Sequence, residues 1–402
     1  MLVLADLAHD SMKPLTYTRS VSDIEVGGRT IFEHITEWFP NYKFSVLVPE
    51  YLKEVTEINT EVYPLERSVN KEVEERDIIY NSSVIPNKEI CEELEYLDVD
   101  ESLFYGEVPV AGRFERFDLR DVKDIFEESK KKYISSEPII LKYPWDLVRY
   151  NSELIERTSS SLPESNNVDV EVIGSSERIY VGENSYISKN SVIDTRRGPV
   201  IIMNEVEVFP YSRIEGPVYI GSNSSIGKGD NAIIHEGTHI GRVCNIGGEI
   251  EESIIHSFTN KYHYGFFGHG VAGSWVNFGA GTTNSDLKNT YGKVNVKHPV
   301  EGLIKDVGLK IGCTVGDHTK FSIGVMIHTG KQIGPLCNVM GAVRDDLDPF
   351  TWYEDGVKKK FRVSKTKEVA RRMMERRKKY LPSGYIEAEI ELIDRLGGCL
   401  EG

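Results

Sequence analysis

"YIGSNSSIGKGD" (Tyr219–Asp230) and "THIGRVCNIGG" (Thr238–Gly248) each repeat an isoleucine–glycine pair six residues apart, at Ile220 and Ile226 and at Ile240 and Ile246. The spacing runs outward from here. Val181, Ile187 and Ile193 keep it, then Ile202, Val208 and Ile214, then Ile234. It returns as Phe266, Ala272 and Phe278, and as Leu309, Val315, Phe321, Ile327, Ile333 and Val339. An α-helix does not repeat at six, and an ordinary strand alternates at two with no turn every sixth residue. A hexapeptide period marks a parallel β-helix. Each short strand aims one apolar side chain inward, a small residue turns the corner, and successive coils stack. The spacing predicts such a helix over residues 169–345, broken at Thr195–Pro199 and at Asn284–Lys310. A solenoid puts insertions on one face, often the binding face.

The preceding segment reads as α/β. "MLVLADL" and "KFSVLVPE" are buried strands, "TIFEHITEWF" is a helix, and "DLRDVKDIFEESKKKYI" is an amphipathic helix. This alternation predicts a mostly parallel sheet with covering helices over residues 1–150. A Ser-rich linker is expected at 151–168 and a helical extension at 346–402, with a basic helix at Ser364–Tyr380.

The net charge of −15 argues against bulk nucleic-acid binding and against adhesion to an anionic membrane. No apolar run approaches the length of a membrane span. The N-terminus lacks the features of a signal peptide. The five scattered cysteines suggest neither a disulfide framework nor a metal site. A cytoplasmic protein is expected, with no protein-bound metal.

"NKYHYGFFGHGVAGSWVNFGAGT" (Asn260–Thr282) is too aromatic for a linker and too glycine-rich for a helix interior. Histidine is the side-chain type that titrates nearest neutral pH, which makes His263 the natural candidate for a general base. Backbone N–H groups of a glycine-rich coil can meet a developing oxyanion. Asn277, with donor and acceptor atoms, can hold an acceptor substrate. Lys261 beside His263 can contact an anionic acceptor or cofactor, and Asn284, where the insertion starts, is a further candidate substrate contact. His269 and His318 read as structural.

Two stretches carry a family resemblance. "MKPLTYTRSVSDIEVGGRTIFEHI" (Met12–Ile35) resembles the opening of sugar-phosphate nucleotidyltransferases. The hexapeptide region resembles the left-handed β-helix acetyltransferase domain of the bifunctional N-acetylglucosamine-1-phosphate uridylyltransferases. The resemblance implies a left-handed coil and His263 as the catalytic histidine. It makes Asn277 an active-site residue and Gly279, Ala280 and Gly281 contacts of acetyl-CoA. It also implies a homotrimer with sites shared between neighbouring chains, the insertion at Asn284–Lys310 reaching across. Lys13, Arg19, Gly27 and Gly28 are what remains of the nucleotide motif. The sequence departs from the family at the phosphate loop, "ADLAHDSM", which has no glycine, at Ser11 and Val21 for its arginine and lysine, and at Glu251 and Phe266 in the acyltransfer half.

The expected fold is therefore an α/β nucleotidyltransferase-like domain, a left-handed parallel β-helix and a short helical tail. The expected activity is acyl transfer from acetyl-CoA to an amino-sugar or its phosphate. One alternative is nucleotidyl transfer to a sugar 1-phosphate with Mg²⁺, the β-helix serving for trimerisation. Another is a non-enzymatic scaffold that binds a nucleotide-sugar.

Overall fold

The structure is a computed structural model describing residues 1–62, 66–71, 77–114, 122–163 and 169–401. The N-terminal domain is built on a seven-stranded sheet. Its order is Lys130–Tyr133, Glu101–Tyr105, Val108–Arg113, Ile78–Asn81, Leu2–Ala5, Phe44–Leu47 and Ser68–Val69. Only Val108–Arg113 runs antiparallel to its neighbours. Leu2–Ala5 is buried throughout, as its unbroken apolar run requires of a central strand. Helix Ile31–Thr36 starts on a capping box, with Thr30 and Glu33 each bonding the other's backbone. The first part of the amphipathic helix expected over Asp118–Ile134 lies outside the described residues. Its described part, Val122–Glu128, is followed by the edge strand Lys130–Tyr133. That strand's Lys130 and Lys132 pair with Glu101 on the neighbouring strand, so lysines that fit a helix serve here as an edge.

Residues 171–354 form the expected left-handed parallel β-helix, with three flat faces of two- to four-residue strands. The first face runs from Glu171–Ile173 up to Phe266–Gly268 and continues in Thr283–Asn284, Met326–Ile327 and Ala342–Val343. The second runs from Ile179–Val181 to Gln332–Ile333, and the third from Tyr186–Ile187 to Thr351–Glu354. The period anchors from Ile193 to Val339 line the interior, with two exceptions. Phe267, not Phe266, points inward, because the Phe266 ring folds over Gly268, where a Cβ would lie 2.2 Å from it. Leu309 is 56% exposed, since it closes the insertion rather than starting a coil. Each fully buried Val or Ile removes apolar area worth about 1.5–3 kcal/mol, so the stacked column is a large favourable contribution to the helix.

Helix Pro144–Ser160 packs on the second face, touching Val218–Ile220, Thr238–Ile240, Ile254–Ile255 and Val271–Ala272. Much of the segment read as a linker is thus helical, and 164–168 lie outside the described residues. Its apolar stripe (Leu147, Leu154, Ile155) is buried, so a Ser-rich exposed side hid a docking helix. The basic helix spans Val363–Glu375, and a second helix follows at Tyr385–Glu401. Together they cover the edge between the second and third faces, where Val243, Phe258, Trp275, Leu336 and Phe350 stack. Trp275 stacks on Phe258 at 4.3 Å and donates its indole N–H to the Tyr385 hydroxyl. It is therefore sealed by its own chain.

The insertion forms an antiparallel hairpin, Val294–His298 with Gly302–Gly308. It turns back onto its own N-terminal domain. Val294 and Val296 bury against Trp145. Glu301 accepts hydrogen bonds from Ser11 (2.9 Å) and Tyr143 (2.6 Å), and His298 bonds the Ser11 carbonyl. The contacts this hairpin makes are thus with its own chain.

Candidate active site on the uncovered edge

Among the described residues, neither the N-terminal domain nor the C-terminal helices cover the edge between the third and first faces. Its corners are built by Phe209–Tyr211, Lys228–Asn231, Tyr262–Gly265, Gly279–Thr282 and Ser322–Gly324, stacked coil on coil. Tyr211, Tyr264 and Ile323 are 71%, 62% and 78% exposed there, a run of apolar surface along one edge.

His263 stands on this edge with its imidazole exposed. The Tyr262 ring meets it edge-on at 4.9 Å, and it has no side-chain hydrogen bond among the described residues. The next coil brings the Gly279–Gly281 corner alongside: the Gly281 N–H donates to the Tyr264 carbonyl at 3.0 Å. Gly281 has φ +76°, and a Cβ on it would press on the Tyr264 ring at 3.1–3.3 Å. Gly279 has no room either, as its Cβ would lie 2.5 Å from Ser322 backbone atoms. Gly279 N–H is bonded to the Phe321 carbonyl, whereas the Ala280 N–H has no partner among the described residues. Asn277 lies on the third face leading into this corner, its Oδ1 taking a hydrogen bond from Asn260 at 3.1 Å. His263, Asn277, Ala280 and the two glycines are thus gathered on adjacent coils.

Two expected substrate contacts are not available. Lys261 points into the coil and is 2% exposed. Asn284 is buried too, and its amide bonds both the N–H and the carbonyl of Gly268, replacing a strand neighbour where the coil is interrupted. Both occupy inward positions of the hexapeptide, which the sequence reading assigned to apolar residues alone.

The four nucleotide-motif residues are committed elsewhere. Arg19 forms a buried pair with Asp317 of the β-helix, both guanidinium–carboxylate contacts at 2.6 Å. Thr18 and the Ser274 N–H also donate to Asp317. The Gly27 N–H donates to Asn151, and a Cβ there would collide with Leu154 at 2.2 Å. The Gly28 N–H donates to His239, and a Cβ would strike the Tyr219 ring. Lys13 pairs with Asp10. The loop after the first strand bonds itself: His9, Met12 and Lys13 donate to Asp6, Ala8 and Asp10 carbonyls. Asp6 is half-buried beneath it, and desolvation pushes its carboxyl up to about 7. Arg19 and Gly28 thus clasp the N-terminal domain to the β-helix, Gly27 holds the docking helix, and Lys13 stays within its own loop.

At the first–second edge His269 lies 2.8 Å from Asp286 and 3.5 Å from Glu252. Lys310 neutralises the neighbouring Glu251 at 2.8 Å. Glu251, Glu252 and His269 lie close enough to share a cation, as do Glu215, His235 and Glu236. Each group is already answered from within, by Lys310 in the first and by Arg197 and Arg213 around the second. Burial lowers the His269 pKa, but the two carboxylates outweigh it and raise it to about 9. The ordinary value is near 6.5, so the folded state holds this proton more tightly than the unfolded chain. The pair's stabilisation is full below the ordinary value and fades as pH rises through about 9. The melting midpoint should therefore fall between about pH 7 and pH 10, and fall less in His269→Gln.

Residues 1–166 match the family described as sugar nucleotidyl transferase. Among curated proteins, the bifunctional protein GlmU of Acidithiobacillus ferrooxidans is 31% identical over 146 residues, 34% of this chain and 30% of that protein. A bifunctional sugar-1-phosphate nucleotidylyltransferase/acetyltransferase of Sulfurisphaera tokodaii is 35% identical over 97 residues, 24% of each chain. The chain thus spans less than a third of the length of either relative. Among solved structures, a mutant of AntD, an N-acyltransferase from Bacillus cereus in complex with dTDP and coenzyme A, aligns over 49% of this chain and 91% of its own. The identity is 18% and the TM-score 0.23, a likeness too slight to bear on function. The resemblance read from the motifs is supported by the family match and by both bifunctional relatives. No described helix is long and apolar enough to cross a membrane.

Proposed function

We propose that this chain is a transferase of sugar metabolism that moves an acyl group from acetyl-CoA to the amine of an amino-sugar or its phosphate. The observation that carries the reading is the His263 edge. An exposed imidazole stands one coil away from a corner whose glycines admit no side chain and whose Ala280 N–H is unbonded among the described residues. His263 takes the proton from the amine as its nitrogen attacks the thioester carbon. The Ala280 N–H meets the oxygen as charge develops on it. The carbon–sulfur bond breaks, and the thiolate leaves and is protonated. Asn277 holds the acceptor.

A nucleotidyltransferase reading of residues 1–166 has the family match in its favour. It has the loop against it, because transfer to a sugar phosphate needs donors free to hold the phosphates, and here the loop and the motif glycines are bonded within the chain.

The site is open on one side. His263 has no side-chain hydrogen-bond partner among the described residues, and exposed Tyr264 beside it and Ile323 two corners on share its edge. We take the edge to be covered by a second copy, in a closed homotrimer. Light scattering should give about three times the 45.5 kDa chain mass, and Ile323→Glu should shift it toward one. A wild-type mass of one chain with transfer intact would remove the shared site. A thermal-shift series tests the donor: CoA thioesters should raise the midpoint as ligands of the folded state, and nucleoside triphosphates should not.

A further inference from the structure

Lys261 sits in an inward column of the third face that otherwise holds apolar residues, on the rung above Ile246 and below Phe278. Its ammonium is out of reach of water and donates to three carbonyls: Gly265 at 2.6 Å, Gly247 at 2.9 Å and His263 at 3.3 Å. An ammonium has three protons and no acceptor, so this set saturates it. The space is made by Gly248. That residue has φ +74°, and a Cβ on it would lie 2.9 Å from the ammonium nitrogen and 2.8 Å from the Gly265 oxygen. A buried charge held only by neutral dipoles is costly. Desolvation accordingly lowers the Lys261 pKa to about 8, with Asp230 and Glu249 acting the other way. An apolar side chain would fill the same rung at lower cost, as it does in the coils below.

Two of the three carbonyls belong to the loop that carries His263, one of them its own. That imidazole has no side-chain partner among the described residues to aim it. Its direction follows from its backbone and from the Tyr262 ring. We infer that Lys261 is a positioning residue, which pins the His263 loop from inside the coil and so aims the imidazole along the uncovered edge. The inference rests on the reading of His263 as the base, but its first test does not need that reading.

The variant is Lys261→Met in the full chain, which suits an apolar rung. With histidine labelled at Cε1, the His263 signal is assigned from His263→Gln. It should be single and sharp in the wild type, and shifted, broadened or split in Lys261→Met, with the other histidines outside the loop unmoved. A cooperative melting transition shows that the variant is folded. In an acetyl-transfer assay kcat should fall about 10- to 100-fold with both KM values within about twofold, the pattern of a misplaced catalytic group. An unchanged His263 signal in the folded variant overturns the inference, whatever kcat does. A moved signal with unchanged kcat upholds it and instead sinks the role given to His263. Should Lys261→Met fail to fold, Lys261→Gln, which keeps part of the hydrogen bonding, carries the same comparison.

Discussion

Replacing His263 by alanine should lower kcat for acetyl transfer by about 100- to 10,000-fold, the usual contribution of a positioned general base. KM for donor and acceptor should change little, because the imidazole is asked to act on the proton and not to hold either substrate. Folding should be untouched. The side chain is exposed, and its ring contact is the edge of Tyr262. The loop beneath it is held by Lys261 and the Gly281–Tyr264 bond, neither of which uses the imidazole. His263→Gln, which keeps a polar side chain of similar reach but cannot take a proton, should fail to the same degree. Thiol release that continues at the wild-type rate in both variants would remove His263 from the chemistry.

Asp317→Ala should destabilise the protein by about 3–5 kcal/mol, the cost of leaving the other half of a buried ion pair uncompensated. Arg19 and Asp317 are each 7% exposed, and Asp317 also accepts from Thr18 and from the Ser274 N–H. Burial alone would raise the Asp317 pKa, but Arg19 and the hydrogen bonds prevail and hold it below the usual carboxylate value. The pair therefore stabilises the fold above that value, and its contribution is lost as pH falls below it. The double variant Arg19→Met, Asp317→Leu should recover much of the loss, since apolar replacement of both partners removes the stranded charge. Urea unfolding followed by tryptophan fluorescence reads the effect, Trp275 lying one coil from Asp317. Equal midpoints for wild type and Asp317→Ala would mean that the clasp does not fasten the domains.

The β-helix was legible because its cause is local. Ile220, Ile226, Ile240 and Ile246 announce a period that neither an α-helix nor an ordinary strand has. The exceptions are places where a neighbour in space decides. Phe266 and Phe267 are equally apolar, and only the bare Gly268 lets the first fold outward. Lys261 reads as a surface lysine until the carbonyls around it are seen. The candidate site was half legible: the residues on the edge follow from "NKYHYG" and "NFGAG", whereas Lys261 and Asn284 turn inward. The clasp was not legible at all. Arg19 and Asp317 are 298 residues apart, and a retained motif looks the same in sequence whether it holds a nucleotide or another domain. The one available hint was the glycine-free "ADLAHDSM", which left Arg19, Gly27 and Gly28 without their usual employment.

The central claim, acyl transfer at the His263 edge by a chain whose nucleotide motif has become an internal clasp, is tested most directly by following two products from the same purified protein. One is thiol released from acetyl-CoA with a panel of amino-sugars and their 1-phosphates. The other is pyrophosphate released from nucleoside triphosphates with sugar 1-phosphates and Mg²⁺. The account predicts amine-dependent thiol release that His263→Ala abolishes, and no pyrophosphate above the no-enzyme rate. Robust magnesium-dependent pyrophosphate release with no thiol release from any amine would contradict it.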